Sequence, residues 1–145
     1  MGCAMSKRYA LMSIHPRHAN AILDGSKRVE FRKRRLPDDI DRVVIYATSP
    51  IKAVVGEFMV REQVTNTPSA LWREFGNYGV GVSRDALMVY FEDFRGYFAG
   101  RQNESRGTAI VIASPITYDE PRPLADYGIV HPPQSWRYLT EEEER

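Results

Sequence analysis

Short apolar runs alternate with polar segments along the 145-residue chain, and the spacing within each run predicts a strand or a helix. Residues 9–14 form an apolar run bounded by polar residues, which is typical of a buried strand. Pro16 then suits the first turn of a helix in which Ala19 and Ile22 share one face, and Gly25 suits its end. The chain is therefore predicted to open with a strand and a short helix.

The next segment, 27–34, alternates between apolar and charged residues. Val29 and Phe31 share one face of an extended chain because successive side chains of a strand point to opposite faces. The other face carries charged residues, namely Glu30, Arg32 and Arg34. This alternation predicts a half-buried strand whose charged face is turned outward, toward a cleft.

Three more apolar runs predict strands over 42–47, 53–60 and 108–116, and the last can extend to Tyr118. Gly56 lies inside the second of these runs, where a glycine is typical of a bulge or a close approach of two backbones. These runs predict a sheet that is assembled from short strands.

Two further helices are predicted between these strands. Thr67 suits the cap of one helix, which Gly76 ends. Ser83 suits the cap of another, whose apolar spacing runs to Phe91 and can extend to Phe94. A polar, glycine-containing connection follows over 96–106.

The segment 120–140 is predicted to wrap the surface as an ordered but irregular tail. Prolines interrupt it, each removing a backbone donor, at positions 121, 123, 132 and 133. Both ends of the chain, 1–6 and 141–145, are predicted to be frayed.

Composition is that of one globular domain over residues 1–145, since 43% of the residues are hydrophobic and 27% are charged. The predicted fold class is α+β, a compact and mostly antiparallel sheet or small β-barrel with short helices. The chain lacks a membrane-spanning apolar run and a signal-peptide pattern, which predicts a cytoplasmic protein without a membrane partner. Cys3 has no neighbouring Cys or His at zinc-ligand spacing, and we expect neither a metal site nor a cofactor.

The formal net charge of +1 hides an uneven distribution of charge along the chain. Residues 1–35 contain nine Lys and Arg against two Asp and Glu, giving +7, whereas residues 36–145 give −6. A local positive face attracts phosphates even when the whole molecule is nearly neutral. Nucleic acid therefore stays a candidate partner.

Lys27 follows the predicted helix end, and Glu30 and Arg32 lie two apart on a strand, so the latter two share one face. A carboxylate beside a guanidinium presents an acceptor and a fork of donors, which suits a nucleobase edge or a phosphate. The alternative is a solvated surface ion pair, which contributes less than about 1 kcal/mol. Arg28 and the basic run 32–35 add charge that either neutralises phosphates or forms a soluble face.

Several stretches together resemble the ASCH domain family, over most of the chain. They are Ser13-Ile14-His15-Pro16, Ala21 to Arg32, Ser49-Pro50-Ile51-Lys52, Val55-Gly56-Glu57-Phe58 and Pro133-Gln134-Ser135-Trp136. The spacing of Gly25, Lys27, Glu30 and Arg32 after a strand and a short helix is the most specific of these features.

The resemblance implies a PUA-like β-barrel with a cleft between the first helix and the sheet, into which Lys27, Glu30 and Arg32 face. It also implies RNA binding, with roles in transcription coactivation, translation or RNA processing, and some members act as enzymes on RNA or modified nucleosides. In small ASCH-type amidohydrolases a threonine follows the lysine by three residues. The presence of Glu30 at that place argues against this particular activity.

The first hypothesis is therefore a binding module that holds single-stranded RNA or a nucleotide, with DNA as a further ligand to test. Its expected contacts are Lys27, Arg28, Glu30, Arg32, Lys33, Arg34, Ser49, Lys52, Gln134, Ser135 and Trp136. The second hypothesis is a metal-independent ribonuclease or a hydrolase of modified nucleosides, with Lys27 and Glu30 as the catalytic acid–base pair. The third is an interaction protein whose positive cleft meets a protein partner.

Two ring side chains have competing interpretations. His15 can take part in acid–base chemistry or form a structural hydrogen bond, and ASCH sequences often have a lysine at this place. Trp136 can stack on a base or pin the tail to the sheet. We favour the structural role for both.

Overall fold

A computed structural model describes residues 8–79, 83–88, 90 and 106–140. Its strands are β1 (Arg8–Ile14), β2 (Val29–Arg32), β3 (Arg42–Ala47), β4 (Ala53–Asn66), β5 (Gly107–Arg122) and β6 (Trp136–Thr140). Its helices are α1 (Pro16–Leu23) and α2 (Pro68–Phe75), with short 3-10 turns at Gly76–Tyr78 and Leu124–Tyr127. The six strands form one sheet in the order β2-β5-β4-β3-β1-β6.

Four of the five strand pairings in this sheet are antiparallel, and β1 pairs with β3 in parallel. The predicted α+β class and the mostly antiparallel sheet are therefore confirmed. Among the described strands, no hydrogen-bonded pairing joins the two edges, β2 and β6, so a closed barrel is not confirmed. The sheet is open along this edge.

The central strands β1 and β3 are buried along most of their length on both faces, as is usual for a parallel pair. One face packs with α1 in a cluster that includes Met12 and Ile22. The other face packs in a second cluster that includes Tyr9 and Tyr127. The opening strand predicted from the sequence is thus an interior strand of the sheet, and the predicted helix packs on one of its faces.

The predicted helix caps are confirmed. The hydroxyls of Thr67 and Ser83 accept hydrogen bonds from the amides three residues later, at 3.3 and 3.0 Å. Residues 84–88 are helical, and no helix in the described ranges is long and apolar enough to cross a membrane. The predicted extension through Phe91 and Phe94, the connection over 96–105 and both frayed ends lie outside the described residues.

Gly56 lies at a close contact between three elements, as its place in the sequence predicts. A Cβ atom at this position would collide with the Ile116 carbonyl oxygen of β5 and lie 2.7 Å from a methyl carbon of Leu23 in α1. The register of β4 against both neighbouring strands also shifts here. The absence of a side chain therefore lets α1 and β5 approach β4 closely.

The C-terminal tail is more regular than its prolines predict, so that prediction is wrong in part. β5 continues through Pro121 to Arg122, and β6 pairs antiparallel with β1. A proline removes only its own backbone donor, and the outer edge of β1 offers hydrogen bonds to the segment after Pro133. The pairing brings Ser135 beside Ser13, whose amide donates to the Ser135 carbonyl oxygen at 2.9 Å.

Candidate functional site

Glu30 lies between two cations, in the strand that follows α1. Lys27 Nζ is 3.2 Å from Glu30 Oε1, and Arg32 contacts Oε2 through Nε and Nη2 at 3.0 Å each. The side chains of Lys27, Glu30 and Arg32 are only 3%, 10% and 16% exposed. The residues of the sequence motif therefore form one buried group, the Lys27–Glu30–Arg32 cluster.

The charged face of β2 is more deeply buried than a half-buried strand predicts, although Lys27 and Glu30 do line a cavity. β2 ends at Arg32, and Glu30 is as buried as Phe31 on the opposite face, at 7% exposure each. The two cations compensate the loss of hydration that otherwise keeps a carboxylate at the surface. Arg34 lies beyond the end of the strand and is exposed.

Opposing effects set the pKa of Glu30. Burial alone would raise the pKa, because a buried carboxylate loses its hydration, but the charges of Arg32 and Lys27 lower it by more. The pKa therefore lies below its ordinary value, and the carboxylate is ionised at neutral pH. Two cations around one anion leave an excess of positive charge, which suits an anionic ligand.

His18 joins the cluster from α1, with its Nδ1 3.0 Å from Lys27 Nζ. An ammonium group can only donate, so Nδ1 accepts and the neutral ring carries its proton on Nε2. Burial and then the charge of Lys27 lower the pKa of His18, which keeps the ring neutral at pH 7. Sequence reasoning missed His18, although its place four residues before Ile22 puts it above the buried face of the helix.

A cavity of about 220 Å³ opens beside the cluster and is called the Lys27 pocket. It is lined by His18, Lys27, Glu30, Phe31, Ala86, Leu87 and Tyr90. Pockets for drug-sized ligands usually measure about 300–1,000 Å³, so this one suits a group the size of a single base or sugar. Within the described ranges, no group of three or more His, Cys, Asp or Glu side chains could hold a metal ion.

Tyr90 is a second residue of the pocket that sequence reasoning missed. Its hydroxyl accepts a hydrogen bond from the Lys33 amide at 3.2 Å, and Lys33 Nζ lies 5.0 Å from the ring centre. Burial raises the pKa of Tyr90, so the side chain is a neutral phenol with a proton to donate. Its position three residues after Leu87 was the available signal, because both side chains lie on one helical face.

Arg32 also crosses the open edge of the sheet between β2 and β6. Its Nη2 donates to the Ser13 carbonyl oxygen at 3.0 Å, and its Nη1 donates to the Ser135 hydroxyl at 3.3 Å. The Ser13 hydroxyl in turn donates to the Pro133 carbonyl oxygen at 2.6 Å. The structure thus brings together two of the predicted site residues, Arg32 and Ser135.

The turn at 48–52 lies at the same end of the sheet, because β1 and β3 are parallel and their carboxyl ends meet. The Thr48 amide donates to the Ile14 carbonyl oxygen at 3.0 Å. Ser49 and Lys52 are exposed on this turn, and Lys52 has a left-handed φ of 55°. In the part of the chain that the structure describes, neither side chain contacts the Lys27–Glu30–Arg32 cluster.

The remaining basic residues are dispersed instead of gathered in one cleft. Arg28 is exposed, with its guanidinium 5.3 Å from the ring centre of Tyr78. Arg34 is exposed as well, while Arg35 pairs with Asp38 at 2.8 Å. The predicted basic cleft is therefore not confirmed as a continuous surface.

His15 and Trp136 both make contacts within the fold. His15 Nδ1 accepts a hydrogen bond from the Arg17 amide at 3.1 Å and caps α1. Trp136 packs against the main core cluster and meets Tyr138 edge to face, with ring centres 5.0 Å apart. Gln134 is exposed at the start of this segment.

Known proteins resemble this chain over most of its length. It is 33% identical over 143 residues to the "ASCH domain-containing ribonuclease" of Zymomonas mobilis, a match that covers 94% of this chain and 88% of that protein. It is 28% identical over 130 residues to "Large ribosomal subunit protein uL22" of Ureaplasma parvum, covering 89% of this chain but only 38% of that protein. No family model matches the chain.

Solved structures show the same relationship. The crystal structure of ASCH from Zymomonas mobilis matches with a TM-score of 0.70 and 31% identity, covering 93% of this chain and 90% of that one. A mutant of that protein with one serine replaced by alanine gives a TM-score of 0.73 at 29% identity, covering 96% and 94%. The similarity therefore extends through the whole fold and does not depend on one motif.

Proposed function

The chain belongs to the ASCH domain family, and from this premise we propose that it binds single-stranded RNA, with the base or sugar of one nucleotide held in the Lys27 pocket. The observation that carries the proposal is a charged cluster buried beside a cavity of about 220 Å³. Burying three ionised groups is costly and does not reliably stabilise a fold. An anionic ligand that pairs with the excess positive charge would explain why these groups are buried together.

The pocket offers complementary groups to a nucleotide. Lys27 and His18 present an ammonium group and an N–H donor, which suit a phosphate or the acceptors of a base edge. Phe31 and Leu87 are apolar residues of the lining, against which the face of a base can pack. In this proposal Glu30 holds Lys27 and Arg32 in position, since both of its oxygens already accept from them.

The exposed predicted residues extend the binding surface around this pocket. Arg28, Lys33 and Arg34 follow the cluster along the chain and supply charge for the flanking phosphates. Residues at the neighbouring end of the sheet frame the approach, and they are Ser49, Lys52, Gln134, Ser135 and Trp136. DNA lacks the 2′-hydroxyl and is the comparison ligand.

A second candidate function is RNA cleavage, favoured by the relative in Zymomonas mobilis that is named a ribonuclease. In such a reaction the 2′-hydroxyl attacks the adjacent phosphorus and gives its proton to a base. The 5′-oxygen leaves with a proton from an acid, and a 2′,3′-cyclic phosphate remains. Lys27 suits the stabilisation of the phosphorane charge, whereas the lowered pKa makes Glu30 a weak base.

One experiment tests both candidates. A labelled RNA decamer and the matching DNA are incubated with the wild type and with Lys27→Met, with and without EDTA. Binding is followed by fluorescence anisotropy and products by gel electrophoresis. Lys27→Met keeps the length and volume of the side chain but removes its charge, and thermal unfolding checks that it folds.

Saturable RNA binding that Lys27→Met weakens by about tenfold or more supports the binding proposal, since a charge-assisted hydrogen bond contributes about that much. Cyclic-phosphate product from RNA that disappears in Lys27→Met supports cleavage. The control is Arg61→Ala, because Arg61 is exposed on β4 and does not line the pocket. Wild-type protein that neither binds nor cleaves RNA defeats the proposal.

A further inference from the structure

A second cavity, of about 410 Å³, lies beside α2 and is called the Trp72 cavity. It is lined by Ser69, Trp72, Arg73, Gly76, Asn77 and Arg84. The lining brings together two guanidinium groups, an amide, a hydroxyl and an indole ring. Phosphate is bound by guanidinium forks, and the flat face of a base stacks on an aromatic ring, so these groups suit a nucleotide.

Arg73 and Arg84 differ from the ion-paired arginines of the molecule. Arg8, Arg35 and Arg42 each have a carboxylate oxygen within 3.0 Å. Among the described residues, neither Arg73 nor Arg84 has such a partner, and both are exposed at the rim of the same cavity. Two uncompensated cations that share a cavity repel each other, and a bound phosphate relieves this repulsion.

Gly76 shapes the aromatic wall of this cavity. A Cβ atom at Gly76 would lie 2.9 to 3.0 Å from three ring atoms of Trp72. The φ of Gly76 is −56°, which any residue adopts, so the glycine is needed for space and not for backbone conformation. One face of the indole therefore packs closely against Gly76 at the end of α2, which leaves the rest of the ring to line the cavity.

The Trp72 cavity and the Lys27 pocket are neighbours. The Arg28 amide donates to the Tyr78 carbonyl oxygen at 2.8 Å, and the Arg28 guanidinium lies 5.3 Å from the Tyr78 ring centre. Lys27 precedes Arg28 and lines the pocket, whereas Asn77 precedes Tyr78 and lines the cavity. The exposed Arg28 and Tyr78 therefore form a bridge of one cation and one ring between the two sites.

We infer that the Trp72 cavity binds a nucleotide that flanks the one in the Lys27 pocket, so that the RNA strand crosses the Arg28–Tyr78 bridge. This inference rests on the proposed function and defines its footprint. A strand of about three nucleotides occupies both sites, with phosphates at Arg28, Arg73 and Arg84 and a base on Trp72. The bound segment is single-stranded, because stacking on an indole needs an exposed base face.

The dependence of affinity on length tests the inference. Uridine 5′-monophosphate is measured by competition, and fluorescein-labelled 2′-fluoro-oligouridylates of two, three and four nucleotides are measured by anisotropy. The 2′-fluoro group prevents cyclic-phosphate formation, so cleavage does not disturb the measurement. Affinity of the wild type is expected to increase by about tenfold or more from one to three nucleotides and little thereafter.

The double variant Arg73→Ala/Arg84→Ala is expected to lose this gain with length while it binds uridine monophosphate like the wild type. Its matched control is Arg61→Ala/Arg137→Ala, which removes two exposed arginines that line neither site. Tryptophan fluorescence gives a second readout. Binding of the unlabelled trimer should quench Trp72, and Trp72→Phe should reduce the quenching to the part that comes from Trp136.

The outcomes separate the two proposals. A wild-type gain with length that survives in Arg73→Ala/Arg84→Ala overturns this inference, and loss of all binding in Lys27→Met still supports the pocket. An increase of affinity with length that is kept in Arg61→Ala/Arg137→Ala but lost in Arg73→Ala/Arg84→Ala supports both proposals. Wild-type protein that binds neither the monophosphate nor the oligonucleotides overturns both proposals.

Discussion

The carboxylate of Glu30 shows how a single residue can hold a site together. Each of its oxygens accepts from a different cation, with Lys27 on one and Arg32 on the other. If either cation returned to solvent, one oxygen of the buried Glu30 carboxylate would lose its partner. The ion pairs are therefore more important for the geometry of the pocket than for the net stability of the fold.

Glu30→Gln is expected to lower the free energy of unfolding by about 3 kcal/mol at pH 7, because it leaves two buried cations without their anion. The pKa of Glu30 is lowered in the folded state, so its contribution is present above the pKa of an unfolded glutamate, about 4.3. The contribution is lost as the pH falls through the folded pKa. Urea unfolding of the wild type and variant at a series of pH values measures the difference.

The control for this measurement is Glu62→Gln, since Glu62 is exposed on β4. Its free energy of unfolding should stay within about 0.5 kcal/mol of the wild type. The difference in free energy of unfolding between the wild type and Glu30→Gln should shrink in acid. If it stayed as large as at pH 7, the charge of Glu30 would not be what stabilises the cluster.

The ring of His18 reports on the charge beside it. Its pKa is lowered first by burial and second by Lys27, so removing the ammonium group should raise the pKa toward the ordinary value of about 6.5. A two-dimensional NMR titration of the histidine ring signals in the wild type and in Lys27→Met measures this shift. An unchanged pKa of His18 in the variant would show that the charge of Lys27, 3.0 Å away, does not affect the titration of the ring.

At the scale of elements, β2 is a four-residue edge strand whose unpaired side is held by the side chain of Arg32. It pairs with β5 on one side, and on its open side Arg32 reaches across to Ser13 in β1 and to Ser135 ahead of β6. The planar fork of a guanidinium can serve several acceptors at once. This bridge connects the two edges of the sheet where no backbone pairing is described.

Arg32→Lys is expected to lower the free energy of unfolding by about 1–3 kcal/mol, because one ammonium nitrogen cannot replace the contacts to Glu30, Ser13 and Ser135. Hydrogen exchange of the β6 amides should increase in the same variant. The comparison variant is Arg137→Lys, whose guanidinium donates to its neighbour's carbonyl oxygen at 3.3 Å. Equal stability and equal exchange in both variants would rule out the bridge.

At the scale of the whole molecule, a net charge of +1 conceals a basic N-terminal part and an acidic remainder. The fold does not collect all of this positive charge on one face. Lys27 and Arg32 are buried with Glu30, while Arg28 and Arg34 are exposed. The long-range attraction of an RNA backbone should therefore depend on the exposed cations, and the pocket should select what is bound.

Arg28→Ala and Arg34→Ala should each reduce the slope of log affinity against log salt concentration by about 0.7, the value for one phosphate contact on a single strand. The loss should be similar for RNAs of different sequence, because phosphates carry no sequence information. Fluorescence anisotropy over a series of salt concentrations measures both quantities. Wild-type slopes in both variants would mean that these two side chains do not contact the backbone.

Local signals in the sequence determined the order and type of the described elements up to β5. The alternation around Val29 and Phe31, the caps at Thr67 and Ser83, and the close approach at Gly56 were all predicted, because each depends on residues that are neighbours along the chain. The family resemblance pointed to Lys27, Glu30 and Arg32, which lie within six residues of each other and are in contact in the structure.

Tertiary structure alone decided which side chains the cluster meets and how far it is buried. His18 and Tyr90 reach the pocket from helices on opposite sides of β2 in the chain, and Arg32 contacts a serine 103 residues away. The end of the proline-rich tail became β6 because β1 offered it a free edge, which no pattern within the tail reveals. Periodicity describes one segment at a time, whereas burial and pairing depend on segments that are distant in sequence.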